Sequence, residues 1–115
     1  MGYLAVVICN FNGGQYTVDC IKAVQKNTYN DLDIIVVDNA STDSAVELLT
    51  NEFGDSITIL LNDINCGGAG GFGRGLRYAT ENNYEYIITF ALLYLFLICD
   101  LFLCNNCGIE VYIRA

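Results

Sequence analysis

Histidine is absent from all 115 residues, which excludes imidazole-based triads, proton shuttles and imidazole metal sites. Bases are scarce: Lys22, Lys26, Arg74, Arg77 and Arg114 stand against thirteen acids, for a formal net charge of −8. Nucleic-acid binding rests on clustered Lys and Arg that neutralise phosphates, so no nucleic-acid partner is expected. No Gly-Lys-Ser/Thr occurs, so the chain lacks a Walker A loop. The N-terminal MGYLAVVICNF has neither a positive n-region nor a small-residue cleavage site, so no secretory signal is read there. Val6 stands where myristoylation requires Ser or Thr. Without a secretory context the six cysteines do not read as a disulfide framework. Cys9 and Cys20 lie in apolar-periodic segments, where a free cysteine acts as a small buried hydrophobe. The expected compartment is reducing and cytosolic.

What is present is patterned as a single α/β domain. Short apolar runs predict strands at about residues 4–9, 33–38, 57–61 and 84–88. Between the first two, Val18, Ile21 and Val24, widened by Cys20 and Ala23, make one apolar helix face over residues 15–27, with Asp19, Lys22 and Lys26 opposite. Ser44 and Glu47 have capping-box spacing before a short helix carrying Val46, Leu48 and Leu49. A third helix is expected over residues 71–83, with Arg74, Arg77 and Glu81 on its exposed side. The order β-α-β-α-β-α-β predicts a three-layer α/β/α sandwich with a mainly parallel sheet. Right-handed crossovers then gather the post-strand loops along one edge.

Three polar loops fall on that edge: NFNGG, DNASTD and NDINCGGAGGFGRG. Open α/β sheets bind ligands outside the carboxyl ends of their strands. Asp38 ends a run of four buried-type residues, Ile34 to Val37. It can accept hydrogen bonds from a ribose hydroxyl or a base N–H, or it can simply cap the turn. The glycines of the third loop permit close backbone approach and free N–H groups at a helix start, which suits phosphate. Tight helix–sheet packing competes as their role, notably at Gly71, Gly73 and Gly75. A literal G-x-G-x-x-G at Gly68, Gly70 and Gly73 follows the third strand, not the first, and Leu93 stands where the ribose-binding acid should be. Cys99, Cys104 and Cys107 are spaced like three iron–sulfur ligands, but no fourth cysteine follows.

Taken together, residues 4–88 resemble the nucleotide-binding half of a family 2 glycosyltransferase of the GT-A fold, a Rossmann-like arrangement. VVICNFNGG resembles that family's first strand and base-contacting loop. IIVVDNASTDSA resembles its second strand and the acidic loop that holds uracil or thymine and ribose. NCGGAGGFGRGL resembles the ribose- and phosphate-contacting loop of the subgroup that transfers rhamnose or galactofuranose. The resemblance implies that Asn10 and Asn12 line the base pocket and that Asp38 accepts from base or ribose. It implies that Asn39 and Asp43 shape that loop, that Asn65, Gly67 and Gly68 sit against ribose and diphosphate, and that Arg74 lies near the diphosphate. The implied donor is a UDP- or dTDP-linked sugar, passed to an acceptor hydroxyl in cell-surface polysaccharide or glycan synthesis. Mg²⁺ or Mn²⁺ would normally offset the leaving diphosphate's charge.

The chain departs from that family where chemistry should begin. Members carry a D-x-D-type metal motif just after the fourth strand and a catalytic base in a later acceptor-binding half. Here YEYIITFALLYLF leads from Glu85 to Asp100 without an acid. No metal ligand or catalytic residue is therefore assigned, and this chain alone is expected to lack turnover. Residues 1–88 read as the donor-binding half, and residues 89–115 as an apolar, Cys-rich tail of truncated or frame-shifted origin. Residues 87–104 approach a membrane span, interrupted by Asp100, whose burial costs about 2.5–3.5 kcal/mol on insertion scales. Attachment to the inner face of a membrane and homo-oligomer pairing through an open sheet edge both follow as expectations. Two other functions stay open: a noncatalytic nucleotide-binding or interaction module, and a dinucleotide-dependent oxidoreductase.

Overall fold

Side chains alternate between the two faces of a strand, and here each face of the sheet carries its own core. The computed structural model describes residues 4–26, 31–93 and 110–113. Its strands are β1 (Leu4–Phe11), β2 (Leu32–Asp38), β3 (Thr58–Leu61), β4 (Tyr86–Leu93) and β5 (Glu110–Ile113). Its helices are α1 (Gly14–Gln25), α2 (Ala45–Phe53) and α3 (Gly67–Glu81), with a 3-10 turn at Gly54–Ser56. The sheet order is β3-β2-β1-β4-β5. The first four strands are parallel and β5 is antiparallel to β4. The expected α/β class with a mainly parallel sheet is the observed one.

On one face Val6, Ile8, Ile34 and Val36 pack with Val18 and Ile21 of α1 and Leu49 of α2. On the other, Ala5, Val7, Ile35 and Val37 pack with Ala79 of α3, flanked by Phe72 and Leu76. That division makes the three layers. β1 and β2 are buried on both sides, so nearly every residue in them is apolar, as central parallel strands require. Each fully buried Val, Ile or Leu contributes about 1.5–3 kcal/mol, and both sheet faces are lined with them. α3 crosses from β3 over β2 and β1 to reach β4, which sets its first turn above the ends of β1 and β2.

Local details differ from the sequence expectation for identifiable reasons. α3 starts at Gly67, not near residue 71, although each glycine in a helix costs about 0.8–1.0 kcal/mol against alanine. Packing overrides that propensity: a Cβ at Gly71 would stand 2.5 Å from Cys9 Sγ, and one at Gly75 would stand 2.3 Å from Val7 Cγ1. Gly73 has open space instead, so of the three glycines only two serve close packing. Ser44 is the N-cap of α2 but its hydroxyl makes no capping bond. Its φ of −88° and ψ of 16° lie outside the extended region a capping side chain needs. Asp43 does that work, Oδ1 accepting from the Ala45 N–H at 3.0 Å. Ala23 is exposed and not part of the α1 stripe.

β4 continues to Leu93, pairing with β1 as far as Phe11. Residues 87–93 of the apolar run are thus sheet, while residues 94–109, with Cys99, Asp100, Cys104 and Cys107, lie outside the described residues. Among the described residues no helix is long and apolar enough to cross a membrane. β5 pairs along residues 86–89 of β4, so that stretch of β4 is not an open edge.

Candidate functional site

β1 and β2 end level with each other, Asn10 opposite Asp38, and the backbone ladder steps onward from there. The Asn39 N–H donates to the Asn10 carbonyl and the Asn62 N–H to the Asp38 carbonyl, both at 2.9 Å. Three loops are thereby held side by side at one sheet edge. Their side chains then lock to each other in two networks.

The first network is centred on Asn10, which is fully buried, and Asp38, which is 3% exposed. Asn10 Nδ2 donates to Asp38 Oδ1 at 2.7 Å and to Ser41 Oγ at 3.2 Å. Asn10 Oδ1 accepts from Thr17 Oγ1 at 2.5 Å and from the Gly13 N–H at 3.2 Å. Ser41 gives Asp38 two further bonds, hydroxyl to Oδ1 at 2.7 Å and N–H to Oδ2 at 3.0 Å. Asp38 is therefore a turn anchor, and its Oδ2 retains acceptor capacity because a carboxylate oxygen takes about two donors. Asn12 ties the same two loops together on their outer side. Its Oδ1 accepts from the N–H groups of Thr42 at 2.8 Å and Asp43 at 3.2 Å, and its own N–H donates to Ser41 Oγ at 2.9 Å. Asn12 and Ala40 both hold positive φ, 53° and 60°. That conformation is unfavourable for alanine by about 1–2 kcal/mol, so the loop is held in shape by its bonds.

The second network joins the β2 loop to α3. Asn39, 2% exposed, donates through Nδ2 to the Gly67 carbonyl at 2.9 Å. Its Oδ1 accepts from Asn62 Nδ2 at 2.9 Å and from the Cys66 N–H at 3.1 Å. Asn65 Oδ1 accepts the Gly67 N–H at 2.8 Å, and Gly67 has φ 72°, a conformation glycine adopts freely. The first-turn N–H groups of a helix have no intrahelical partner. With Cys66 and Gly67 served by side chains, Gly68 and Ala69 supply the other first-turn N–H groups at the positive end of the α3 dipole. Among the described residues nothing lies within 4 Å of a Cβ built at Gly68.

Arg74 is turned toward the end of β3. Its Nη1 donates to the Leu61 carbonyl and, at 2.6 Å, to Asn62 Oδ1. A cavity of about 160 Å³ beside α3 is lined by Leu60, Arg74, Arg77, Tyr78 and Glu81. Asp43 is exposed and serves as the α2 cap described above. The structure thus gathers Asn10, Asn12, Asp38, Asn39, Asn65, Gly67 and Gly68 around one edge, with Asp43 and Arg74 holding its flanks. Thr17 and Asn62 escaped sequence reasoning. Thr17 shares the helical face of Cys20, Ile21 and Val24, so a hydroxyl inside an apolar stripe was the available signal. Asn62 directly follows β3, the same strand-end position that singled out Asp38.

Two side chains near the site and below it have displaced titrations. Burial, and then the nearby Asp38 carboxylate, push the Cys9 thiol up to about 11. Burial and the hydrogen bond to Asp33 Oδ2, 2.6 Å long, push the Tyr84 phenol upward as well. Neither group is a nucleophile at neutral pH. For a metal, a hard divalent cation wants several oxygen ligands. Among the described residues no three or more His, Cys, Asp or Glu side chains are grouped to supply them, and Asp38 already accepts three hydrogen bonds. The described residues therefore do not fit a resident Mg²⁺ or Mn²⁺.

The comparisons with known proteins agree with this fold. The family model for glycosyl transferase family 2 matches residues 5–91. Glycosyltransferase GlyG of Streptococcus pneumoniae is 40% identical over 45 residues, 39% of this chain and 15% of its own length. An uncharacterized glycosyltransferase of Nostoc sp. is 31% identical over 80 residues, 67% of this chain and 24% of its own length. The chain thus spans a quarter or less of either relative. Among solved structures, the mannosyltransferase PcManGT from Pyrobaculum calidifontis, in complex with GDP-Man and Mn²⁺, superposes with TM-score 0.67 at 22% identity, over 78% of this chain and 27% of that one. TarS from S. aureus, in complex with UDP, gives TM-score 0.69 at 18% identity, over 80% and 27%. With the family match covering most of the chain and the GT-A-like fold in place, this chain belongs to the family 2 glycosyltransferases.

Proposed function

We propose that residues 1–88 form the donor-binding half of a glycosyltransferase that holds a nucleoside-diphosphate sugar for transfer to an acceptor hydroxyl. The observation that carries this reading is the pairing, on one sheet edge, of a braced amide–carboxylate wall with an uncovered helix start. Asn10, Asn12 and Asp38 make the wall, and Asp38 Oδ2 can still accept a base N–H or a ribose hydroxyl. Gly68 and Ala69 offer N–H groups to the diphosphate at the α3 terminus. The motif resemblance of NCGGAGGFGRGL favours a UDP- or dTDP-linked sugar of the rhamnose or galactofuranose kind, used in polysaccharide or glycan synthesis. The relatives with bound GDP-Man, UDP and UDP-GlcNAc support a nucleotide sugar as the ligand class. Any Mg²⁺ or Mn²⁺ would take its ligands from beyond the described residues. The acceptor and the catalytic base belong to the part of a full-length enzyme that this chain does not match.

The dinucleotide alternative is disfavoured by placement. Gly70 and Gly73 are interior residues of α3, and the motif follows β3 where a dinucleotide fingerprint follows the first strand. Calorimetric titration of the full chain with UDP, dTDP, GDP and NAD⁺, in EDTA and in Mn²⁺, tests the proposal. Saturable binding of a nucleoside diphosphate that survives EDTA is expected. Preference for NAD⁺, or no binding of any diphosphate, would refute it.

A further inference from the structure

We propose that Arg74 is a positioning residue of the donor site, acting on the start of α3 through Asn62 and Asn39 and not by touching the diphosphate. The inference rests on the donor-binding reading above. Arg74 lies seven residues into α3, about 10 Å along the axis from Gly67, and its Nη1 is committed to the Leu61 carbonyl and Asn62 Oδ1. A guanidinium can only donate, so it fixes which end of the Asn62 amide faces it. The Asn62 NH₂ is thereby turned to Asn39 Oδ1 at 2.9 Å. The Asn39 NH₂ in turn reaches the Gly67 carbonyl at 2.9 Å, while Asn39 Oδ1 takes the Cys66 N–H at 3.1 Å.

From Arg74 through Asn62 and Asn39 to the Gly67 carbonyl the links run donor to acceptor in one direction, and the Cys66 N–H joins them at Asn39 Oδ1. Reversing the Asn62 amide would set NH₂ against guanidinium and oxygen against oxygen. The relay also closes mechanically: Arg74 ties the second turn of α3 back to the end of β3, so the loop at residues 62–66 spans two fixed points. Its product is the set of the Gly67 peptide, and with it the direction in which the Gly68 and Ala69 N–H groups point. Asn39 is 2% exposed, so water does not substitute freely for a lost partner there.

The test uses the full chain with Arg74→Gln, Asn62→Ala and the double variant, each checked for cooperative melting. In ligand-free protein, the Asn39 side-chain NH₂ and the Cys66, Gly67 and Gly68 amide NMR signals are expected to move in the same way in both single variants. Affinity for UDP should fall about tenfold in each, and about tenfold rather than a hundredfold in the double, because residues in one network are not additive. Should Arg74→Gln fail to fold, Asn62→Asp keeps an acceptor for Arg74 while breaking the link to Asn39, and should move the same signals. Unmoved Asn39 and Gly67 signals, or an additive hundredfold loss of UDP affinity, would overturn the relay. A wild-type chain that binds no UDP would refute the donor-site reading, while the ligand-free signals would still decide the relay.

Discussion

The Asn10 side-chain amide donates to Asp38 Oδ1 at 2.7 Å between residues paired across β1 and β2, both buried in the sheet. The bond joins the loop after β1 to the loop after β2 at the level where a ligand would meet the sheet. It also satisfies a carboxylate withdrawn from water. An unsatisfied buried polar group costs about 1–3 kcal/mol, and more if charged. Asn10→Ala is therefore expected to lower unfolding free energy by at least about 2 kcal/mol, read from urea denaturation. Thr17→Val should lose about 1 kcal/mol, since it removes only one of the two donors to Asn10 Oδ1. Asn10→Ala with wild-type stability would show that the carboxylate is held by other means.

The α3 glycines separate into two kinds. Gly75→Ala drives a methyl against Val7 Cγ1 and Val37 Cγ2, at 2.3 and 3.1 Å from the new Cβ, and overpacking of a tight contact costs about 1–3 kcal/mol. Gly73→Ala meets nothing within 4 Å and should gain up to about 1 kcal/mol of helix propensity. Thermal melts of the two variants are expected to move in opposite directions. Equal shifts would mean that α3 does not sit on β1 and β2 as described.

Cys9 supplies a pH dependence. Its thiol titrates near 11 in the fold, against an ordinary 9.0, so folding favours the protonated form. That contribution is intact below pH 9 and is lost as pH rises through 11; Tyr84 is displaced in the same direction. Stability should therefore fall across that window, with a shallower slope in Cys9→Ala. At pH 8, alkylation mapped by mass spectrometry should reach exposed Cys66 well before buried Cys9 and Cys20. Cys9 labelling as fast as Cys66 would contradict its burial under α3.

Much of this fold was legible because its strands are so uniformly apolar. Ile34 to Val37 and Leu4 to Cys9 admit little besides central strands, and three crossovers of helix length then impose parallel pairing. The DNASTD loop announced itself through Asp38 at a strand end. What stayed hidden was tertiary. The Gly67–Gly71 stretch reads as loop by propensity and is helix because Gly71 and Gly75 seat it on Cys9 and Val7. Ser44 has the spacing of a cap without the backbone angles of one. Asp38, Thr17 and Asn62 act through partners 7 to 28 residues away, and single-sequence spacing does not show which amide faces which carboxylate.

The uncovered start of α3 is the feature on which the proposed function turns, and Gly68 tests it with the least disturbance to the fold. A Cβ at Gly68 meets nothing within 4 Å among the described residues and the position is exposed, so Gly68→Leu should keep or raise the melting temperature while its isobutyl group crowds the first-turn N–H groups. The decisive measurement is the calorimetric affinity of wild type and Gly68→Leu for UDP. Binding by the wild type that falls about tenfold or more in a fully folded Gly68→Leu, equivalent to about 1.4 kcal/mol, is the expected result. Equal UDP affinity in the two proteins would contradict a diphosphate at the α3 terminus.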